Sequence, residues 1–250
     1  MGFAEADLTH DAFLGGRTHA FQPRHGYRAA TDPVLLAAAV EAVASQSVLE
    51  LGCGVGVASL CLAARVPGLQ LTGVERQADY AALARRNLGP NTPIFTADLT
   101  DLPIELRQRS FDHIIANPPY YVTGGGTSAQ DAGREAALRE DTPLDQWIDV
   151  ASRRLAPKGW LTMIQAADRL PEMMAAIAPR LGSITLRPLA GRDGRAAGRV
   201  LVKARKGGRA PFVLLPPLVL HAGPAHGADG GDFTPQAQAI LRNAEPLTWT

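Results

Sequence analysis

Ser47-Val48-Leu49-Glu50-Leu51-Gly52-Cys53-Gly54-Val55-Gly56-Val57 decides the fold. Residues 47–51 read as a short buried strand, and an Ala/Leu-rich stretch to about Arg65 reads as a helix. Between them lie three glycines on alternate positions. Glycine reaches positive φ and puts no Cβ between backbone and ligand. The G-x-G-x-G spacing is neither the G-x-G-x-x-G of dinucleotide sites nor a phosphate loop, since no Gly-Lys-Ser/Thr follows. Downstream the pattern recurs. Residues 69–74, 94–97 and 111–116 read as strands that end at Glu75, Asp98 and Asn117, and residues 160–165 as a fifth strand. Helices are expected over 78–87, over 144–155 with Pro157-Lys158-Gly159 closing it, and over 169–181. Strands alternating with helices predict an α/β fold with a mostly parallel, doubly wound sheet. Residues 183–189, 199–205 and 212–221 read as strands with no helix between them, so the C-terminal strands are expected to be antiparallel. Thr234 and Pro235 then start a short helix to Arg242.

Upstream, residues 1–30 show no strong periodicity. Thr31-Asp32-Pro33 reads as a helix start, with Asp32 as cap and the helix running over 34–44. No repeat or linker divides the chain. One domain is expected: a covering segment over 1–45, a cofactor-binding core over 46–182, and antiparallel strands with a terminal helix over 183–250.

With 46% hydrophobic and 20% charged residues among 250, the chain can bury a full core and is not disordered by composition. The longest apolar run, residues 34–40, is seven residues where a membrane span needs about twenty. Residues 1–17 lack the basic start and apolar stretch of a secretory signal. Two cysteines, Cys53 and Cys61, make neither a disulfide framework nor a zinc site, no histidine shows ligand spacing, and no metal is expected. These features point to a cytoplasmic enzyme. The net charge of +1 conceals a run between Arg180 and Arg209 with nine Lys/Arg against the single acid Asp193. Such a run is commonly a solvated face; beside Gly-rich turns in a neutral chain it also fits a polyanion partner.

The chemistry-bearing residues fall at strand ends. Glu75 lies nineteen residues after Gly56, where a carboxylate can accept both hydroxyls of a ribose. Asp98 ends the next strand beside the same crevice. Asn117-Pro118-Pro119-Tyr120 ends the one after. Its prolines fix the backbone and leave carbonyls free. A rigid turn accounts for the prolines; the flanking Asn and Tyr suit an acceptor site. An Asn oxygen and the Pro118 carbonyl can each take one N–H of an amine and aim its lone pair, while Tyr120 offers a face to a planar base. Methylation of a cytosine carbon would need a cysteine nucleophile here, and none is near.

This constellation resembles the Rossmann-like class I S-adenosylmethionine-dependent methyltransferases, which implies a seven-stranded sheet and S-adenosylmethionine as cofactor. The resemblance makes Glu50, Gly52, Gly54, Gly56, Glu75 and Asp98 cofactor-binding residues, with Asn117, Pro118, Pro119 and Tyr120 matching the catalytic motif of amino-methyltransferases. These act on adenine N6, cytosine N4 or glutamine N5. Gln22-Pro23-Arg24-His25-Gly26-Tyr27-Arg28, Thr31-Asp32-Pro33-Val34-Leu35-Leu36-Ala37, the doublet Tyr120-Tyr121, Lys203-Ala204-Arg205-Lys206-Gly207-Gly208, Leu214-Leu215-Pro216-Pro217-Leu218 and Thr234-Pro235 look like the bacterial valine-tRNA adenine-N6 methyltransferase family. The resemblance implies a tRNA or other structured RNA as partner. It gives Asp32 a place near the methionine end of the cofactor, against the alternative of a helix cap. It makes Tyr27, Arg28, Tyr121, Arg205 and Lys206 substrate contacts; for Tyr27 a core residue is the more common alternative, and Arg28 could simply pair with an acid. Release-factor glutamine methyltransferases share the tetrad but usually carry a larger helical N-terminal domain, and only about fifty residues precede Gly52 here. Other rRNA or DNA adenine-N6 methyltransferases remain alternatives.

Overall fold

The structure, a computed structural model, describes residues 2–122, 139–140, 142–223 and 232–250. An antiparallel hairpin, β1 (Leu8–Phe13) and β2 (Thr18–Pro23), comes first, where the sequence shows no periodicity. It escapes notice because both ladders are half exposed: along β1 only Leu8 is buried. Asn87 ties the hairpin to the glycine turn. Its carboxamide pairs with both backbone groups of Phe21 and donates to the Val55 carbonyl at 2.9 Å.

α1 (Thr31–Ala38) leads into the alternating core: β3 (Ser47–Leu51), α2 (Val57–Arg65), β4 (Gln70–Glu75), α3 (Ala78–Leu88), β5 (Ile94–Thr96), α4 (Ile104–Arg107) and β6 (Phe111–Ala116). Two short strands, β7 (Tyr121–Val122) and β8 (Arg139–Glu140), pair with each other. Then follow α5 (Leu144–Arg154), β9 (Leu155–Ala166), α6 (Leu170–Ile177), β10 (Gly182–Arg192), β11 (Ala197–Arg205), β12 (Val213–Leu214), β13 (Leu218–His221) and α7 (Pro235–Asn243). The main sheet runs β12-β10-β11-β9-β6-β3-β4-β5, with β13 also on β10. Its span from β10 to β5 is the expected seven strands. β9, β6, β3, β4 and β5 are parallel, and β11 is antiparallel to both β9 and β10.

Strand alternation divides the core between two faces. Ile115 and Val48 pack with α1, α2 and α7, while Ile114, Leu49 and Leu51 pack with α5 and α6. Glu50 therefore shares the α2 side of β3 with Val48 and is buried against Ser59.

Three expectations need correction. α1 is shorter than read and is not capped by Asp32; Ala30 is its N-cap, with no side-chain bond. It stops at Ala38 because tertiary partners take its last carbonyls: Arg65 on Ala37 and Val40, the Leu247 N–H on Ala38, the Trp249 indole on Ala39. β9 begins at Leu155 and carries Pro157-Lys158-Gly159 within it, as an irregularity opposite Phe111–His113. Residues 212–221 form two strands, broken at Pro216-Pro217 where two N–H donors are missing, and both run parallel to β10. Because Arg205 pairs with Gly182, β11 ends beside the start of β10. The chain then follows the free edge of β10 in the same direction. Finally, most of the region read as a loop over 121–141 lies outside the described residues.

Candidate active site

All the parallel strands deliver their C-terminal ends to one edge, and a cleft opens there. Glu50, Gly52, Gly54, Glu75, Asp98, Asn117, Pro118, Pro119 and Tyr120 line it together with Tyr27, Trp147 and Thr142. Gly52, Gly54 and Gly56 all have positive φ, at 65°, 53° and 85°. Their reasons differ. A Cβ on Gly52 would meet the Trp147 ring at 2.5 Å, and one on Gly56 would meet Leu88 Cδ1 at 2.6 Å. At Gly54 the nearest atom, in the Tyr27 ring, is 3.7 Å away. Gly52 and Gly56 are thus required by packing, and Gly54, which lines the cleft, by its φ and by the space beside it.

The turn and its acids are wired together. Glu75 Oε2 accepts from Gly54 N–H at 3.0 Å and Oε1 from Gln77 N–H at 2.8 Å. Each oxygen keeps a further lone pair for a ligand hydroxyl. Burial raises the Glu75 carboxyl above its ordinary range, opposed by those two backbone bonds. Asp98 goes the other way: Thr100 N–H and hydroxyl, both on Oδ1, lower it. Glu50 accepts from the Ser59 N–H at 3.1 Å and hydroxyl at 2.5 Å, yet complete burial pushes its carboxyl up to about 7. Burial opposes the ionisation of this carboxyl, and a cationic partner beside it would favour the charged form. The thiols Cys53 and Cys61 are free and buried, and burial raises both.

At the tetrad, Tyr120 Oη lies 2.5 Å from Asp32 Oδ2 and 2.8 Å from Asn117 Oδ1. Asp32 also accepts from Arg199 Nε at 3.2 Å, and the Arg199 guanidinium lies over the Tyr120 ring, 4.1 Å from its centroid. Gln165, fully buried on β9, points Nε2 at the carbonyls of Pro118 (3.4 Å) and Pro119 (3.3 Å). Asp32 is not among the residues lining the cleft; it stands behind Tyr120. Tyr27 is in the cleft wall, anchored by its N–H to Tyr80 Oη at 2.9 Å.

Three residues expected as substrate contacts are engaged within the protein. Arg28 pairs with Asp11 at 2.6 Å and donates to Thr9 and the Pro23 carbonyl, so it pins the hairpin. Arg205 and Lys206 lie at the opposite end of the sheet from Asn117: Arg205 pairs with Trp160, at the end of β9 remote from Ala166, which faces Arg199. Six residues of strand put Arg205 about 20 Å from Arg199. There they donate to the carbonyls of Lys158 and Leu155. The antiparallel direction of β11 is the cause. The side chain of Tyr121 lies outside the described residues. Gln165, Trp147 and Arg199 are the site residues that sequence reasoning misses. A lone Gln or Trp carries no local signal, and Arg199 is submerged in the basic run.

Comparison with known proteins agrees with this geometry. The model of the methyltransferase small domain matches residues 30–181, the span that holds the glycine turn, both acids and the tetrad. The chain belongs to this methyltransferase family. Among curated relatives, the tRNA1(Val) (adenine(37)-N6)-methyltransferase of Shewanella baltica is 30% identical over 201 residues, 76% of this chain and 82% of that protein. The protein of the same name from Actinobacillus succinogenes is 29% identical over 204 residues, 78% and 84% of the two chains. A crystal structure of a predicted O-methyltransferase from Agrobacterium tumefaciens superposes with a TM-score of 0.69 at 27% identity, covering 87% of this chain and 98% of that one. This methyltransferase uses S-adenosylmethionine, and its cleft fits that donor. Gly54 leaves space where a side chain would intrude, Glu75 has lone pairs for ribose hydroxyls, and Glu50 offers a buried charge to an ammonium group. When bound, the cofactor supplies a sulfonium methyl, an electrophile open to a nitrogen lone pair.

Proposed function

We propose that this methyltransferase modifies an exocyclic amine, adenine N6 in a tRNA, near the anticodon. The observation that carries the reading is the place of the tetrad: Asn117 and Tyr120 stand in the same cleft as the glycine turn, Glu75 and Asp98. An adenine amine is a poor nucleophile because its lone pair is delocalised into the ring. The Asn117 carboxamide oxygen and the Pro118 carbonyl each accept one N–H, drawing the nitrogen toward a tetrahedral shape and aiming its lone pair into the cleft. Pro118 keeps a lone pair for this after its bond to Gln165. As the nitrogen lone pair forms the N–CH₃ bond, the methyl's bond to the sulfonium sulfur breaks and leaves its electron pair on sulfur; the nitrogen becomes cationic and then releases one N–H proton to water. Arg199 covers one face of Tyr120. In this reading the base, presented in RNA from an unpaired loop, stacks on the other.

The names of the relatives support RNA adenine as the acceptor; the basic run supports it less than its charge suggests. Arg180, Arg187, Arg192, Arg199 and Lys203 are all engaged within the protein. That observation keeps a glutamine acceptor in a release-factor-type protein as the second reading. Residues 1–45 act in this scheme as a cover, since Tyr27, Ala29 and Pro33 line the cleft. Among the described residues no helix is long and apolar enough to cross a membrane, and a tRNA-modifying enzyme works in the cytoplasm. The test is mass spectrometry of nucleosides from tRNA incubated with and without the protein. N6-methyladenosine gained only with the protein is expected. Methylated glutamine in a release-factor peptide, with unmodified tRNA, would put the second reading in its place.

A further inference from the structure

The tetrad is completed by two residues from outside the strands that build the cleft. Asp32 sits in the first turn of α1 and Arg199 on β11, 167 residues apart, yet they meet behind Tyr120. Arg199 is more than a surface pairing: it binds Asp32 through Nε and lies flat against the tyrosine ring. Burial and the Asp32 charge hold the Tyr120 phenol above its ordinary range, so it stays protonated and can donate.

A phenol has one proton, and here two oxygens face it. Asp32 Oδ2 is nearer, at 2.5 Å against 2.8 Å for Asn117 Oδ1, and an ionised carboxylate is the stronger acceptor. With its proton given to Asp32, the tyrosine oxygen has only lone pairs to show Asn117. Two oxygens without a proton between them repel. A half-turn of the carboxamide replaces Oδ1 with Nδ2, which donates to Tyr120 Oη. That same half-turn moves Oδ1 off the tyrosine and frees it from that contact to accept from an amine.

We propose that Arg199, acting through Asp32 and Tyr120, is a positioning residue that fixes the Asn117 carboxamide with Nδ2 on the tyrosine oxygen and Oδ1 presented to the acceptor amine. Arg199 supplies the positive charge that keeps Asp32 in place as the acceptor of the tyrosine proton. Without it, Tyr120 is free to donate to Asn117 instead. The carboxamide then turns its two N–H bonds toward an amine that also carries N–H bonds, which is the wrong polarity for the reaction. The proposal rests on the reading of the acceptor as an amine.

The experiment compares wild type with Arg199→Ala, Arg199→Lys, Tyr120→Phe and the Arg199→Ala/Tyr120→Phe double variant. It measures kcat and KM for the acceptor, S-adenosylmethionine affinity by calorimetry, and the Asn117 side-chain amide resonances by ¹⁵N NMR, assigned with Asn117→Ala. Arg199→Ala should lower kcat about ten- to hundredfold, the scale of a misplaced reacting group, with cofactor affinity within about twofold. Arg199→Lys should recover most of the loss, since it keeps a charge beside Asp32, and the double variant should be no worse than the poorer single one. In the NMR arm, the two Asn117 amide protons should be well separated in wild type and move together in both Tyr120→Phe and Arg199→Ala. Full kcat in Arg199→Ala, or an Asn117 pair that shifts in Tyr120→Phe but not in Arg199→Ala, would overturn the proposal. If the wild type methylates a glutamine peptide rather than tRNA, the RNA reading has failed and the same kcat series on the peptide decides the role of Arg199. If neither is methylated, the NMR comparison decides it alone.

Discussion

Two side chains in the cleft make separable contributions. Asn117→Ala removes a hydrogen bond that acts on the amine as it reacts, so kcat should fall about a hundredfold, on the order of 3 kcal/mol, with cofactor affinity unchanged. Steady-state kinetics beside calorimetry checks this; full turnover would reduce the tetrad to a turn. Glu50 governs pH dependence. Its carboxyl is raised to about 7, so it is neutral below that and ionised above. Affinity for the cationic cofactor should therefore rise as pH increases through 7, and Glu50→Gln should flatten that profile. Stability of the empty protein has the opposite sign. Between the unfolded value near 4.5 and the folded value near 7, the folded state holds the extra proton, so stability falls as pH rises through that window. Glu50→Gln should then raise the melting temperature at pH 8, by at most about 3 kcal/mol of stability.

At the scale of the element, the glycine turn divides its labour. Gly56→Ala drives a Cβ into Leu88 at a φ of +85°, and its effect should appear in thermal denaturation. Gly54→Ala has no such clash; it costs about 1–2 kcal/mol for the left-handed backbone, and its larger effect should be on S-adenosylmethionine affinity, read by calorimetry. Similar losses of both properties in both variants would contradict the division. The terminal helix α7, none of whose residues lines the cleft, offers a control. The Thr234 hydroxyl accepts from Ala237 N–H at 3.2 Å and donates to the Val219 carbonyl at 2.8 Å. Thr234→Ala should cost about 1 kcal/mol of stability and leave methyl transfer intact.

Over the whole molecule, the basic run is split by strand direction. Arg192, Arg195 and Arg199 lie at the cleft end of the β10–β11 hairpin, and Arg205 and Lys206 at the other. Arg195 is exposed in the turn between the strands. If tRNA phosphates meet the protein beside the cleft, Arg195→Glu should weaken tRNA binding and flatten its salt dependence. The log–log slope should shrink by about 0.7 for each single-stranded phosphate that no longer meets a cation. Arg205→Glu with Lys206→Glu should change it less. Equal effects from the two ends, measured by salt titration, would place the RNA elsewhere.

Local signals in the sequence determined the alternating core, the glycine turn, the acids at the ends of β4 and β5 and the tetrad. Each is announced by residues close together in the chain: apolar runs of strand length, glycines where φ turns positive, acids and Asn-Pro-Pro at strand ends. The tertiary structure alone decided what depends on distant segments. It gave Asp32 to Tyr120 and Arg199 rather than to a helix cap, because the nearest strong donors come from the end of β6 and from β11. It set Gln165 under the prolines, since neighbouring parallel strands share an end. It carried Arg205 and Lys206 away from the cleft, because β11 runs against β9 and side chains six residues apart on one strand cannot serve the same end of a sheet. Residue type and spacing can say which groups are fit for a reaction; pairing direction and register, which sum over the whole chain, say which of them meet.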